Sequence, residues 1–256
     1  MFTPKGKFAW YELMTSDTEA AGRFYSSVVG WTPKPVPGGG GGEFPYTTFN
    51  LGEVGMAGMI NLPGHTAWIG YIAVDDVDAH IEKIVAAGGT LWKPATDIPG
   101  MLRFAVLSDP QGAAFVAFTP NPAMPTPERP QPPAPGTIAW HELYTTDLEA
   151  GYSFYNQLFG WTRLTDMDMG PMGAYRIFDQ GDHKQMGDGG MMSKPPQVPV
   201  SCWMFYISVD SIKAAVARVE AGGGKILNGP MQVPGGGWVI TGQDPQRAVF
   251  SLVGPE

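Results

Sequence analysis

The sequence predicts an α+β protein in which each half of the chain contains two βαβββ modules. Two observations support this. The stretch Phe8–Trp31 returns as Ile138–Trp161, at an offset of 130 residues (8 to 138), and a match of this length within one chain indicates an internal repeat. After each copy, the apolar residues follow the spacing of strands, then that of a helix, then that of strands again.

A proline-rich segment separates the two halves. Residues 120–136 hold eight prolines and almost no large apolar side chain, which is typical of a semi-rigid, extended linker. The sequence therefore predicts a first domain at residues 1–119, a linker at 120–136 and a second domain at 137–256.

Each copy of the repeat predicts a strand and then a helix. Phe8–Met14 carries aromatic and apolar residues on both faces, as a covered strand does. Ser16 and Glu19 have the spacing of a helix-capping box, and Gly30 can end the helix in the left-handed conformation. The tryptophans that follow the two helices are predicted to be core residues: Trp31 and Trp161.

The remainder of each half predicts a second helix among short strands. Asp75 or Asp76 can cap this helix in the first half, and a Gly-Gly pair can end it. An Asp-Pro-Gln turn, Asp109–Gln111, precedes the last strand, and Asp244–Gln246 repeats it. The further strands predicted in the first half are 44–51, 54–62, 66–74, 91–92, 103–107 and 113–118.

Composition and charge exclude several classes of protein. The net charge of -8 has the wrong sign for a broad nucleic-acid surface or a polybasic membrane patch. The single cysteine, Cys202, and an N-terminus without signal-peptide features predict a cytoplasmic location. No window approaches the roughly 18 apolar residues of a membrane span. The partner expected is a small-molecule ligand, with no nucleic acid and no membrane, for a monomer or a homodimer.

Three motifs link the chain to a known family. The pattern D-x-E-x-x-x-x-F-Y-x-x-x-x-G-W occurs in both halves, the strand before the second helix ends in Val-Asp, and Asp-Pro-Gln precedes the last strand. With these motifs the chain, outside its linker, resembles the vicinal oxygen chelate superfamily of glyoxalase I, bleomycin-resistance proteins and extradiol dioxygenases. It is most similar to the two-copy glyoxalase-like members. The resemblance implies that four βαβββ modules pair into two cup-shaped mixed sheets with helices on the outer face, but it indicates no single reaction.

The resemblance also implies where a metal would bind. In this superfamily a cup typically holds a divalent metal on side chains from three strands. None of the side chains at these positions here is a competent ligand for Zn, Ni, Mn or Fe. The sequence therefore predicts no bound metal and no cofactor, which argues against glyoxalase or dioxygenase chemistry. The positions are Trp10, Ile69, Val116, Trp140, Met204 and Ser251.

Strand alternation identifies the side chains that would line the cups. If Trp10 and Trp140 face inward, so do the residues two and four positions later, and the same step from the second ligand position leads to a tyrosine. The lining is then aromatic and apolar with one carboxylate in each cup, which is typical of a small-molecule pocket. The candidate ligand-binding residues are Trp10, Met14, Tyr71, Phe118, Trp140, Tyr144, Tyr206 and Ser251.

Glu12 and Glu142 are the candidate catalytic residues. A partly desolvated carboxylate has a raised pKa and can act as a general acid or base, or hold a ligand cation. The alternative is a structural glutamate hydrogen bonded to backbone amides or to a tyrosine hydroxyl. Glu142 ranks above Glu12 because both of its neighbours on the same strand face are aromatic. Trp10 and Trp140 either stack on a ligand or fill the floor of a cup.

Other aromatic and histidine positions also have structural alternatives. Tyr71 and Tyr206 either contact a ligand or pack within the sheet. His141 alternates with the inward-facing tryptophan and is interpreted as a core residue. His183, beside Asp182, is a weaker candidate for the mouth of a cup.

These observations favour a protein that binds a small, largely apolar or aromatic molecule in metal-free cups. The alternative is a lyase, isomerase or hydroxylase-like enzyme of the same superfamily, with Glu12 or Glu142 as an acid–base residue or a displaced metal ligand. A third alternative is a structural or signalling protein with vestigial cups. An unfilled pocket together with a large exposed apolar patch elsewhere on the surface would favour that third alternative.

Overall fold

The computed structural model describes residues 5–38, 44–123, 128–181 and 186–256, and within them short strands alternate with helices. The order of elements repeats from one half to the other. None of the described helices combines the length and the apolar character needed to cross a membrane. The elements of the first half are β1 (Phe8–Thr15), α1 (Thr18–Val29), β2 (Thr32–Pro35), β3 (Tyr46–Leu51), β4 (Val54–Asn61), β5 (Ala67–Ala73), α2 (Val77–Ala86), β6 (Thr90–Ile98), β7 (Leu102–Ser108) and β8 (Ala114–Pro120).

The second half follows the same plan and includes a 3-10 turn at Gly170–Met172. Its elements are β9 (Ile138–Thr145), α3 (Leu148–Phe159), β10 (Thr162–Asp168), β11 (Ala174–Asp179), β12 (Gly189–Ser193), β13 (Cys202–Ser208), α4 (Ile212–Ala221), β14 (Lys225–Gln232), β15 (Trp238–Gln243) and β16 (Val249–Gly254).

Hydrogen-bonded strands form two eight-stranded mixed sheets. Their strand orders are β2-β3-β4-β1-β5-β8-β7-β6 and β10-β11-β12-β9-β13-β16-β15-β14. Within each module the first and last strands are parallel, as β1 and β4 are, whereas strands joined by short connections are antiparallel. Each sheet contains two βαβββ modules, which confirms the predicted α+β class and the pairing of modules.

The repeated helices begin at an aspartate rather than at the predicted capping box. Asp17 is extended, and its Oδ1 accepts a hydrogen bond from the Ala20 amide at 2.9 Å. Asp147 caps α3 in the same way. The prediction that Ser16 caps α1 is therefore wrong, because the carboxylate one residue later is the acceptor and its charge also favours the positive end of the helix. Gly30 ends α1 with φ 88°, as predicted.

The chain packs into two compact units, and each unit draws one module from each half. Unit A contains the described residues within 1–9, 70–126 and 140–204, and unit B those within 10–69, 127–139 and 205–256. Helix α2 therefore packs with α3 in unit A, and α1 packs with α4 in unit B. The two modules of one half share a sheet, whereas each compact unit combines one module from each half. The domain boundary placed at the linker therefore stays a prediction.

A buried chain of hydrogen bonds joins the two modules of unit B. Trp68 Nε1 donates to the hydroxyl of Tyr25 on α1 at 2.9 Å, and this hydroxyl donates to Oδ2 of Asp244 at 3.2 Å. The other carboxylate oxygen accepts from the amides of Gln246 and Ala248 at 2.9 and 2.8 Å. We call this Trp–Tyr–Asp chain a core relay, because its tyrosine is fully buried.

Unit A contains a second core relay built from the equivalent residues. Trp203 Nε1 donates to the Tyr155 hydroxyl at 2.8 Å, which donates to Oδ2 of Asp109 at 3.2 Å. Oδ1 of Asp109 accepts from the Gln111 and Ala113 amides, each at 2.9 Å. The Phe-Tyr and Asp-Pro-Gln motifs are therefore the two ends of one structural contact between modules of opposite halves.

The tryptophans that follow α1 and α3 are core residues, as predicted. Trp31 donates its Nε1 hydrogen to the Gly136 carbonyl at 2.8 Å in unit B. Trp161 donates to the Gly6 carbonyl in unit A. Because these glycines precede β9 and β1, each tryptophan fixes the start of a strand from the other half.

His141 is also a core residue, as predicted. Its ring stacks on Phe8 with a centroid distance of 4.8 Å, and its Nδ1 lies 2.8 Å from the Asp188 carbonyl oxygen. His183 and Asp182 lie outside the described residues.

Candidate functional site

Two predicted site residues of unit B, Trp10 and Glu12, meet at a tyrosine two strands away. Trp10 Nε1 donates to the hydroxyl of Tyr46 on β3 at 2.8 Å. The same hydroxyl is hydrogen bonded to the carboxylate of Glu12, a residue that is 8% exposed. Alternation along β1 places Trp10 and Glu12 on one face, and the tyrosine ring reaches them across β4. We call this Trp–Tyr–Glu chain a site relay.

A glycine on the intervening strand gives the tyrosine its path. Gly58 on β4 is the register partner of Glu12 on β1. A Cβ atom added at Gly58 would lie 1.9 Å from the Tyr46 hydroxyl oxygen, so any side chain there would occupy the position of that hydroxyl. A Cβ atom added at Gly55 would lie 3.3 Å from the Trp10 ring. The small residues of β4 therefore leave room for both aromatic members of the relay.

Unit A contains a second site relay with the same arrangement. Trp140 Nε1 donates to the Tyr175 hydroxyl at 2.7 Å, which donates to Oε2 of Glu142 at 2.8 Å. Gly190 on β12 is the register partner of Glu142, and a Cβ atom there would lie 2.2 Å from the same hydroxyl oxygen. The hydrogen bond to Glu142 matches one of the two interpretations given above, in which the glutamate binds a tyrosine hydroxyl.

The relay tyrosines are held in their neutral form. Burial, followed by the negative charge of Glu12, raises the pKa of Tyr46 well above its usual range. Burial and the charge of Glu142 raise the pKa of Tyr175 in the same way. At neutral pH each phenol therefore keeps its proton, accepts a hydrogen bond from the indole and donates one to the carboxylate. The glutamate is the acceptor end of each relay, and a neutral donor fixes its orientation.

The two site relays differ in the side chains beside them. In unit B, the guanidinium carbon of Arg129 lies 5.3 Å from the Trp10 ring centroid. Burial lowers the pKa of Arg129, and the nearby Tyr11 acts in the opposite direction. In unit A, burial and then the charge of Glu142 raise the pKa of Cys202 to about 11, so this thiol is protonated at neutral pH and is a poor nucleophile.

The other candidate ligand-binding residues form separate groups in the two units, and their roles stay predictions. In unit A, Tyr71 and Phe118 are nearly buried and meet edge to face with a centroid distance of 5.9 Å. In unit B, Tyr206 on β13 is the register partner of Ser251 on β16, whose hydroxyl oxygen lies 3.2 Å from that of Thr241. The candidates on the first strand of each half are only partly buried: Met14 and Tyr144.

The side chains at the positions where the family pattern places metal ligands do not provide the donor atoms that a metal ion needs. They carry indole, aliphatic and thioether groups and one hydroxyl, that of Ser251, which is within hydrogen-bond distance of Thr241. In the part of the chain that the structure describes, no three His, Cys, Asp or Glu residues are grouped closely enough to hold a metal ion. These residues therefore do not fit the metal that the resemblance implies.

Sequence reasoning missed the two tyrosines that complete the site relays. Tyr46 and Tyr175 lie at the start of β3 and β11, and each is followed three residues later by a buried phenylalanine, Phe49 or Phe178. The pattern Y-x-x-F recurs at an offset of 129 (46 to 175), one residue short of the offset of the long repeat. Extending the alignment of the two halves through their loops is the step that reveals it.

Two surface depressions are formed by other residues. One, of about 300 Å³, is lined by residues within 97–103 and 119–121 of unit A. The other, of about 310 Å³, is lined in unit B by Ile212, Lys213, Val216, Pro230, Trp238 and Glu256. Neither includes a residue of the site relays, so the candidate site rests on the relays and not on these depressions.

Family models match both halves of the chain. A model described as the Glyoxalase/Bleomycin resistance protein/Dioxygenase superfamily matches residues 137–252, and one described as a Glyoxalase-like domain matches residues 11–118. The matched ranges lie on either side of the proline-rich segment and include none of it. Each contains one Phe-Tyr motif and one Asp-Pro-Gln turn, which are the ends of the core relays.

Relatives with named roles match nearly the whole chain. The "Putative glyoxylase CFP32" of Mycobacterium tuberculosis is 34% identical over 255 residues, which cover 96% of this chain and 94% of that protein. The "Anthracycline biosynthesis protein DnrV" of Streptomyces peucetius is 31% identical over 272 residues, which cover 98% and 94%. These matches span both halves and the segment between them.

Solved structures share the fold. The Mn(II)-bound glyoxalase from Novosphingobium aromaticivorans is similar with a TM-score of 0.66 and 15% identity, covering 96% of this chain and 80% of that chain. BphC, a halotolerant catechol dioxygenase, is similar with a TM-score of 0.67 and 14% identity, covering 98% and 87%. At these identities the likeness concerns the fold alone.

Proposed function

We propose that this chain, which belongs to the Glyoxalase/Bleomycin resistance protein/Dioxygenase superfamily, binds a small, largely apolar or aromatic molecule at one or both of its site relays without a bound metal. The observation that carries the proposal is the repetition of the relay. The same three residue types occur at matching strand positions in two modules, and the hydrogen bond from indole to phenol is 2.8 Å long in one and 2.7 Å in the other.

The chemistry of a site relay suits recognition of such a molecule. The Trp10 and Trp140 rings are only partly buried and present a flat apolar surface to a ligand. Because the rings are rigid, little conformational entropy is lost when a ligand packs on them. The neutral tyrosine and the nearly buried glutamate supply a polar group whose direction is fixed before a ligand arrives. Mostly apolar surroundings with a few fixed polar groups are typical of small-molecule sites.

The names of two relatives also support an aromatic ligand. The anthracycline biosynthesis proteins DauV, from Streptomyces sp., and DnrV, from Streptomyces peucetius, are each 31% identical to this chain and match 98% of it. Anthracyclines are polycyclic aromatic compounds, and an indole face is a favourable surface for a planar ring system.

Native mass spectrometry of the purified protein tests this proposal. We expect a small molecule to remain bound to the wild type and to be lost from a variant carrying both Trp10→Leu and Trp140→Leu. The matched control is Trp92→Leu, because Trp92 is 57% exposed on β6 and belongs to neither relay. Retention of the same molecule by the double variant, with the fold intact by circular dichroism, would refute a binding role for the relays.

An enzyme is the alternative function. It is favoured by one observation, that Glu12 and Glu142 are 8% and 7% exposed and each is joined to a phenol, as an acid–base residue often is. In this alternative the molecule found by mass spectrometry is converted, and Glu142→Gln stops turnover while binding persists. If the molecule is recovered unchanged after long incubation with the wild type, binding is the function that stands.

A further inference from the structure

Arg129 places a cation over the aromatic face of a site relay. Its guanidinium carbon lies 5.3 Å from the centroid of the Trp10 ring, within the range at which the face of an indole attracts a cation. Arg129 lies in the proline-rich segment and is partly buried, with its pKa lowered by that burial. In the first half, therefore, the chain itself places a cation on the tryptophan of the relay.

The second site relay contains the same three residue types, and the proline-rich segment supplies none of them. Trp140 makes the same hydrogen bond as Trp10 and is buried to a similar degree. Burial and then the negative charge of Glu142 raise the pKa of the nearby Cys202, while Lys194 acts in the opposite direction, so the charge of Glu142 acts beyond the relay. A cation placed over Trp140 would meet both the indole face and the field of a carboxylate.

We propose that the relay of Trp140, Tyr175 and Glu142 binds an organic cation, in the position relative to Trp140 that Arg129 takes relative to Trp10. The cation is an ammonium or guanidinium group carried by an apolar or aromatic body. Arg129 serves the first relay as a built-in substitute for this group, so a ligand cation has one site in the wild-type chain. This inference rests on the proposed function and names the class of ligand.

Two probes of the same shape and different charge separate cation recognition from simple burial. Phenyltrimethylammonium carries the charge, and tert-butylbenzene is its neutral isostere. Equilibrium dialysis of the full-length protein should show the cation bound at one site, at least tenfold more tightly than the isostere. Glu142→Gln should reduce this preference to below threefold, because the carboxylate field acts on the charged probe alone. Trp140→Leu should weaken the cation at least tenfold.

A change in stoichiometry tests the role of Arg129. Arg129→Gln removes the guanidinium from the face of Trp10, so the number of phenyltrimethylammonium sites should rise from one to two. The matched control is Lys93→Gln, which removes the cation that lies 5.8 Å from the Phe104 ring, and it should leave one site. Two sites in the wild type, or one site in Arg129→Gln, would overturn the inference.

The outcomes distinguish this inference from the function on which it rests. If the two probes bind with equal affinity, and Trp140→Leu abolishes the binding of both, cation selection is overturned. Small-molecule binding at the relay then stays in place. Binding of neither probe up to millimolar concentration would also overturn cation selection. Binding of both probes that is unchanged in Trp140→Leu and Trp10→Leu would overturn the inference and the proposed function together.

Discussion

The core relays and the site relays use the same kinds of group in different surroundings. In a core relay, Tyr25 or Tyr155 is fully buried, and the chain of hydrogen bonds ends on an aspartate that also holds a turn. In a site relay, Tyr46 or Tyr175 lies on a sheet face next to a tryptophan that is partly exposed, and the chain ends on a glutamate. Both kinds of relay use the same hydrogen-bonding groups, but water has more access to the site relays than to the core relays.

Access of water decides what each relay does. A buried donor or acceptor that loses its partner has no replacement, so the core relays contribute to the stability of each unit. A donor near the surface can exchange its partner for water or for a ligand, so the site relays are suited to recognition. The Phe-Tyr and Asp-Pro-Gln motifs supply the tyrosine and the aspartate of the core relays, and these motifs therefore report the fold and not the ligand.

Separating the two halves should have the largest effect. Residues 1–119 and 137–256, expressed singly, each contain one end of both core relays and lack the other end. We therefore expect no folded monomer of either half, and recovery of the folded state when the two are mixed. Circular dichroism with size-exclusion chromatography and light scattering checks this. A stable, folded monomer of one half would show that the core relays are dispensable.

Matched tyrosine variants compare the relays directly. Tyr155→Phe leaves Trp203 Nε1 and an Asp109 oxygen without this partner in a fully buried place, so the free energy of unfolding should fall by about 2 kcal/mol. Tyr175→Phe should lower it by less than about 1 kcal/mol, because Tyr175 and its donor Trp140 are only partly buried, so water can replace the bond to the indole. Chemical denaturation measures both.

The repeat supplies an independent control for this comparison. The same pair of changes in the other copy, Tyr25→Phe and Tyr46→Phe, should reproduce the difference. Equal losses for the core and the site tyrosine in either copy would contradict the assignment of separate roles.

A pH dependence sharpens the comparison and is the smallest expected effect. Burial raises the pKa of Asp109, while hydrogen bonds from backbone amides act in the opposite direction. The folded protein thus holds this proton more tightly than the unfolded chain does. The resulting stability is fully present below the unfolded-state pKa of about 3.9 and is lost as pH rises through the folded-state pKa.

The variant Asp109→Asn removes this titration and isolates its contribution. The free energy of unfolding of the wild type minus that of the variant should fall as pH rises through this window. Asp244→Asn should give a change of the same sign, because burial also raises the pKa of Asp244. A difference that does not vary with pH would show that the carboxyl groups of the core relays are not perturbed in the folded state.

The fold could be predicted from the sequence because its determinants are local or repeated. The helix ends at Gly30 and Gly160 and the buried Trp31 and Trp161 follow directly from the long repeat. The choice of Asp17 over Ser16 as the cap could not be decided in this way, since both residue types are good caps and they are adjacent.

The candidate site could be predicted only in part, for a reason of distance along the chain. Alternation placed Trp10 and Glu12 on one face because they share a strand. Tyr46 comes from another strand, and its contact depends on the register of Gly58 against Glu12, which no local pattern specifies. Arg129 lies in a segment whose proline content predicts an extended chain but not the surface along which it runs.

Each core relay joins residues from both halves of the chain, and this decides how folding depends on protein concentration. A chain with one copy of the repeat could complete a core relay only with the aspartate of a second molecule, so its folded fraction would depend on protein concentration. In the two-copy chain both partners of each relay, such as Tyr155 and Asp109, are covalently tethered. Their effective concentration is set by the connecting segment, and the core relays therefore form equally well at any dilution of the protein.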